Sequence, residues 1–346
     1  MKTRALAVHH ASAPLVPWEF DRRDLRPGDV ALDITYAGIC HSDIHQAREE
    51  WGPALFPMVP GHEIVGFVRE IGPAVTKFAV GDRIGVGVFV DSCRTCENCL
   101  RGLQQYCTDG MTGTYNQLER DGVTVAQGGY SNLFVIDQDY AVHVPENLDM
   151  AGVAPLLCAG ITLYSPLKHW GAKPGMKVGV MGLGGLGHMG VKFAAALGAD
   201  VTVFSHSPSK EADAQAMGAH HFVVTKDPKN LKELSGTFDL ILNTVSAELD
   251  INLYLNLLKL DGTLVVIGLP GKPYAVHAGT LLGARRSMAG SMIGGIPQMQ
   301  EMLDFCGTHN ITSDVEVINA DYVNTAYERT VASDVKYRFV IDAKTI

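Results

Sequence analysis

Four cysteines crowd one stretch of the chain, DSCRTCENCLRGLQQYC, at Cys93, Cys96, Cys99 and Cys107. A C-x2-C-x2-C-x7-C run can bring four thiolates to one point, the closed tetrahedral cage of a structural zinc. Two disulfides are the competing reading. Three thiols within seven residues are poorly spaced to bridge separate elements, and no secretory segment supplies an oxidising compartment. Residues 91–107 are therefore expected to hold one zinc. A second set is spread along the chain: Cys40 in GICHSDIH, His62 in PGHEIVG and Cys158 in APLLCAG. Two thiolates and one imidazole leave a tetrahedral metal an open position, where a Lewis acid can take a substrate oxygen. Singly, each has a plain reading as a buried thiol or a turn histidine. Their joint presence is what counts. Cys306 has no such context and reads as a buried or free thiol.

A third motif is the run Gly182, Leu183, Gly184, Gly185, Leu186 and Gly187, a G-x-G-x-x-G between an apolar strand and a helical segment. Gly182 permits a tight turn, Gly184 lets a pyrophosphate approach the backbone, and Gly187 lets helix and strand pack closely. The next strand, DVTVFS, ends in Ser205, where an acid would accept the ribose hydroxyl of NAD. Ser205, His206, Ser207 and Lys210 instead offer hydroxyls and a cation, which suits the phosphate monoester of NADP(H). A Ser-Pro-Ser turn that starts a helix, with Lys210 solvated, is the plain alternative.

The elements that must position these groups fall into two textures. Up to about residue 150, short strands are broken by glycine-rich turns, as in PGDVALDITYAGIC, GHEIVGFVREIG and VGDRIGVGVFV. This predicts a compact, mostly antiparallel barrel from which the cysteine loop projects. From Met176 the order is strand, turn, helix, strand: MKVGVMG, HMGVKFAAALGA, DVTVFS, then FDLILNTV, a helical LDINLYLNLLKL and GTLVVIG. That alternation predicts a parallel, doubly wound sheet. GSMIGG breaks it, and the terminal DVKYRFVID reads as an antiparallel strand returning to the first domain. The expected division is residues 1–152, 153–291 and 292–346.

Composition agrees. The 346 residues are 47% hydrophobic and 19% charged, enough to fill two cores without any sign of disorder. A net charge of −9 argues against a nucleic-acid partner, which needs clustered Lys and Arg to displace counterions. No stretch approaches the roughly 18 apolar residues of a membrane span, and MKTRALAVHH lacks the apolar core of a signal peptide. The cytoplasm is the expected location.

With Cys40, His41, Ser42, Asp43, Ile44 and His45, then Gly61, His62 and Glu63, the four-cysteine loop, Cys158 and GLGGLG in this order, nearly the whole chain resembles a zinc-dependent medium-chain alcohol dehydrogenase. MTGTYN, APLLCAGIT, GLGGLGHMG, GSMIGG and DVKYRFVID narrow the resemblance to the cinnamyl alcohol dehydrogenase group, and within it to bacterial broad-specificity NADPH-dependent aldehyde reductases. The resemblance implies an α/β plus β fold, a GroES-like catalytic domain joined to a Rossmann domain. It implies two zinc ions per chain, the catalytic one on Cys40, His62 and Cys158, with Glu63 behind or occasionally on the metal and Asp43 orienting His62. Ser42 would touch the substrate oxygen and pass a proton through the cofactor ribose to His45. A turn hydroxyl capping a helix is the plain reading of Ser42. Cofactor contacts carried over are Thr162, Thr244, Gly268, Ser291, Met292 and Ile293, with His41 near the pyrophosphate. Relatives are commonly dimers through the sheet edge around residues 281–291.

Trp51, Phe56 and Met58 are candidate walls of an apolar pocket, with plain core as the alternative. Plant lignin-pathway members carry tryptophan where Gly113 stands, which removes a wall and favours a general reductase of aromatic and medium aliphatic aldehydes. A sorbitol-type, NAD-dependent polyol dehydrogenase and a zinc-depleted nucleotide-binding protein are the rival readings.

Overall fold

The structure is a computed structural model that describes residues 1–346. The chain divides into two compact units, Met1–Ile161 with Gly294–Ile346, and Thr162–Ile293. The first division falls inside the helix Ala159–His169, nine residues beyond the expected 152/153. The cause is packing, because the short turn Ala154–Leu157 lies against the strands Asp29–Gly38 and Ile64–Ile71 of the first unit.

In the first unit the ten-residue strand Asp29–Gly38 organises the sheet. It pairs antiparallel with Ile64–Ile71, Leu133–Asp137 and Arg338–Asp342. Arg83–Val86 and Ala141–His143 extend the sheet on one side, and Val315–Ile318 closes the other. Register shifts at Ala31/Leu32 and Ile34/Tyr36 let the sheet coil toward the predicted barrel-like form. The terminal DVKYRFVID does return here. Arg338–Asp342 runs antiparallel to Asp29–Gly38 and parallel to Val315–Ile318, so the tail is mixed rather than purely antiparallel.

The second unit is a six-stranded parallel sheet in the order His221–Val224, Asp200–Ser205, Lys177–Met181, Phe238–Asn243, Leu258–Val266, Ser287–Gly290. The chain winds outward from Lys177–Met181, then restarts on its other side at Phe238–Asn243, which is the doubly wound topology with its switch point between these two strands. Both faces are covered, so Val178, Val180, Val201, Val203, Leu240 and Leu242 are all fully buried. The helix expected from LDINLYLNLLKL is shorter, Ile251–Leu255, and Leu258–Leu260 already belongs to a strand. Leu257 O accepts from Thr237 N at 2.7 Å and Phe238 N at 2.9 Å, so sheet hydrogen bonds override the local helical periodicity.

No single helix is long and apolar enough to cross a membrane. The bent pair Met150–Leu157 and Ala159–His169 passes on composition, but its residues are buried in the fold as far as Leu167.

A β-carbon at Gly187 would stand 2.0 Å from Gly182 O. Gly187→Ala should therefore cost about 2 kcal/mol, read as a lowered thermal midpoint, and unchanged stability would contradict this packing. Burial pushes the Cys306 thiol up to about 12, so it stays protonated at pH 8. Mass spectrometry after iodoacetamide treatment of the native protein should find Cys306 unmodified until denaturant is added.

Candidate functional site

The sulfurs of Cys93, Cys96, Cys99 and Cys107 all lie within 4.8 Å of one another, and none is in a disulfide. Cys93 and Cys99 Sγ are 3.8 Å apart. A tetrahedron with Zn–S bonds of about 2.3 Å has an edge of about 3.8 Å, whereas a disulfide is about 2.05 Å. The loop is folded to point thiols inward. Cys96 N donates to Cys93 Sγ at 3.3 Å and Cys93 N to Cys107 Sγ at 3.4 Å, while Cys96 caps the single turn Glu97–Leu100 that carries Cys99. Backbone donors from Thr108 and Cys99 lower the Cys96 thiol to about 5, so it is a ready thiolate. Burial raises Cys99 to about 11, the state that a metal ion would reverse. Arg94 pins the loop from outside with Asp91, Asp137 and Asp139.

Cys40, His62, Glu63 and Cys158 form the second cluster, again within 4.8 Å. Sheet pairing brings its parts together: Ala37 opposes Ile64, so the residues just after one strand meet those just before the other. Cys40 is the N-cap of the helix His41–Ala47, and Cys158 ends the turn Ala154–Leu157. Cys40 and Cys158 Sγ are 4.0 Å apart. The fit to a metal rests on an orphan: His62 is 2% exposed, its Nδ1 is held 3.1 Å from Asp43 Oδ1, and its buried Nε2 has no partner. A buried ring nitrogen without a partner costs free energy that coordination would remove. Two thiolates and an imidazole suit zinc.

The surrounding charges act on these groups in different directions, and Cys40 together with burial pushes the Cys158 thiol well up. The Cys158 thiol lowers Cys40 well below the usual thiol range, with His62 and Arg338 helping. Burial works against charge on His62, but Asp43 and Cys40 together raise the imidazole well above its usual range. Burial pushes Glu63 up to about 7, and the Arg338 guanidinium opposes this. Glu63 Oε1 pairs with Arg338 Nη2, which also donates to Ile39 O at 2.7 Å; Glu63 Oε2 is buried and unpartnered.

The remaining predicted residues of this unit are near but not equivalent. Ser42 Oγ lies 3.6 Å from Cys40 Sγ. His45 pairs through Nδ1 with Glu50, and Trp51 stacks on it at 4.8 Å. Trp51 is half exposed and Phe56 is partly buried against the core. Met58 differs from the expectation of a pocket wall. It is 1% exposed within the core cluster of Val8, Ile39 and Ile44, because its backbone pairs with Val8 and turns the side chain inward. His41 is exposed.

In the second unit, Gly182 (φ +86°) follows the strand Lys177–Met181 directly, and Gly184 has open space where a β-carbon would go. That space is what a closely approaching pyrophosphate requires. Ser205, Thr244, Gly268 and Ser291 lie at or just beyond the carboxyl ends of four other strands of the same sheet. Lys210 Nζ reaches back to Leu183 O at 2.7 Å, which brings its charge to the glycine turn rather than into solvent. Thr162 is buried on the helix Ala159–His169, Met292 is 42% exposed and Ile293 is buried.

Sequence reasoning misses Arg338, Tyr115 and Tyr130. Tyr130 donates to Asp43 Oδ2 at 3.0 Å, and Tyr115 stacks on His62 with ring centres 5.9 Å apart. Tyr115 lies inside MTGTYN and Arg338 inside DVKYRFVID, strings that carry only the resemblance. An arginine opening the apolar run Phe339–Ile341 is the signal that could have pointed to a buried ion pair.

The chain is similar to known proteins along its whole length. Residues 26–146 match the alcohol dehydrogenase GroES-like domain, and residues 185–308 match the zinc-binding dehydrogenase family. An NADP-dependent alcohol dehydrogenase C of Mycolicibacterium smegmatis is 57% identical, over 99% of this chain and 98% of its own length. The aldehyde reductase YahK of Escherichia coli is 49% identical over 100% and 99%. The solved cinnamyl alcohol dehydrogenase of Sorghum bicolor superposes with a TM-score of 0.96 at 46% identity, over 99% of this chain and 98% of that one. With both metal clusters assembled and identity near one half along its whole length, the chain belongs to the zinc-binding, medium-chain alcohol dehydrogenase family.

Proposed function

We propose that this chain is a zinc-dependent oxidoreductase that moves a hydride between NADP(H) and a primary alcohol or aldehyde, working as a broad-specificity reductase of aromatic and medium aliphatic aldehydes. The observation that carries the reading is the buried, unpartnered Nε2 of His62 facing the Cys40 and Cys158 thiols. Cys40, His62 and Cys158 would hold the catalytic zinc, and the four-cysteine loop the structural one. When bound, the zinc supplies Lewis-acid stabilisation of negative charge on the substrate oxygen.

The chain's own groups do the rest. Asp43 fixes the His62 tautomer by accepting from Nδ1, which leaves Nε2 for the metal. Arg338 holds Glu63 by Oε1 and leaves Oε2 unpartnered beside the three ligands, so the acid stands behind the metal position. Ser42 Oγ, next to Cys40, is positioned to hand a proton to a substrate oxygen. His45, one-third exposed and oriented by Glu50, exchanges protons with solvent.

The absence of an acid at Ser205 and the approach of Lys210 to Leu183 favour the 2′-phosphate of NADP(H). Relatives named for NADP and for aldehyde reduction support the same assignment. Gly113 supplies no side chain where a tryptophan wall would narrow the substrate range, and a β-carbon there would already meet Gln117 Oε1 and Tyr115 O at 3.3 Å. We further assign a dimer through the strand Ser287–Gly290, an outer strand of the parallel sheet whose second edge is unpaired. A reducing compartment, the cytoplasm, would keep the metal-binding thiols free.

Ser42→Ala should retain all bound zinc while turnover falls about 100-fold, a typical share for proton transfer by a positioned group. Near-normal turnover would remove Ser42 from the proton path. By fluorescence titration NADPH should bind more tightly than NADH, and Ser205→Asp should reverse the order. An aldehyde panel with NADPH should show activity on both benzaldehyde and medium aliphatic aldehydes; activity confined to hydroxycinnamyl aldehydes would contradict broad specificity.

A further inference from the structure

Arg22 lies outside every motif discussed so far, yet it is a buried cation with no carboxylate paired to it. It is 8% exposed, and its guanidinium sits over the rings of Phe20 at 5.0 Å and Phe134 at 4.6 Å. Nη1 donates to Gln127 O at 2.8 Å, and Nη2 donates to Gly128 O at 3.1 Å and Ser131 Oγ at 3.2 Å, while Nε is buried without a partner. Burial lowers its proton affinity to about 9, with Arg23 adding to the effect and Glu119 opposing it. So costly a placement needs compensation, and two backbone carbonyls and two ring faces supply it.

Those two carbonyls belong to peptide groups whose opposite ends hold the segment leading to His62. The peptide that offers Gln127 O to Arg22 donates through Gly128 N to Val59 O at 2.7 Å. The peptide that offers Gly128 O donates through Gly129 N to Gly61 O at 2.9 Å. A cation at the carbonyl end polarises each peptide and strengthens the bond made by its N–H. The same strap adds Tyr130 N to Pro60 O at 2.9 Å, and the Gln127 side chain accepts from Val59 N at 2.7 Å. Its Tyr130 hydroxyl ends on Asp43, the acceptor of the His62 ring. The approach is close enough that a β-carbon at Gly128 would stand 2.3 Å from Pro60 O.

We propose that Arg22 is a positioning residue for the second metal cluster: through the peptides of residues 127–129 it locks residues 59–61 and Tyr130, and thereby fixes where His62 presents Nε2. This rests on the reading of Cys40, His62 and Cys158 as zinc ligands. It assigns an influence on the metal to a side chain that touches neither metal, substrate nor cofactor. The four-cysteine cluster, held by other contacts, should not feel it.

The test is the rate at which a chelator removes each zinc from the full chain, together with the visible d–d spectrum of cobalt placed in the labile site, for wild type, Arg22→Gln and Arg22→Lys. Arg22→Gln should lose one zinc about tenfold faster, the lower end of the usual effect of groups that orient metal ligands, with the other zinc unchanged and the cobalt bands shifted. Arg22→Lys, which keeps the charge but cannot span both carbonyls, should fall between. If Arg22→Gln does not fold, the lysine variant decides by the same comparison. Wild-type release and spectrum in the variants would overturn the proposal, as would equal acceleration of both zinc ions, the signature of general destabilisation. A wild-type chain holding only an all-cysteine zinc would instead contradict the metal reading itself, and the proposal with it.

Discussion

The carboxylate of Asp43 is the point from which the reactive cluster is built. It is wholly buried and accepts four hydrogen bonds, from Cys40 N at 2.9 Å, Gly61 N at 3.1 Å, the His62 ring at 3.1 Å and the Tyr130 hydroxyl at 3.0 Å. A buried charge is tolerable only when it is so saturated. Because the donors come from separate segments, satisfying Asp43 also brings a thiol and an imidazole to a common point. One electrostatic requirement thus sets the local geometry.

A second buried charge pair backs the first. Glu63 and Arg338 meet across 275 residues of chain, between the loop before Ile64–Ile71 and the start of Arg338–Asp342. Space for this pair comes from Gly38, where a β-carbon would lie 2.1 Å from Glu63 Oε2. Gly61 has a similar reason: its φ is +104°, and a β-carbon there would stand 2.6 Å from the Tyr130 ring, so any side chain is excluded. These two glycines are therefore tied to the site rather than to flexibility.

Much of the chemistry was legible from local order. Cysteine spacing, the glycine turn and the change from broken strands to alternating strand and helix are short-range signals, and the structure assembles each of them. The place of Ser205 at the end of its strand was also readable, because strand ends in a doubly wound sheet have predictable positions. What sequence could not reveal is long-range pairing: Tyr130 with Asp43, Arg338 with Glu63 and Arg22 with the strap at residues 127–131. The same limit shortened the helix before Leu258, where hydrogen bonds from residues 237 and 238 decide the backbone. Met58 was misplaced for a related reason, since only its pairing with Val8 shows which way its side chain turns.

The two clusters share sulfur chemistry but differ in what they leave open. Four thiols close one cage, whereas the other has two thiols, one imidazole and an acid paired by one oxygen with Arg338. X-ray absorption at the zinc edge, with metal content measured on the same purified sample, reads this difference directly. The account predicts two zinc ions per chain, one ligated by four sulfurs and one by two sulfurs, a nitrogen and a light-atom ligand. One zinc per chain in an all-sulfur environment would contradict it.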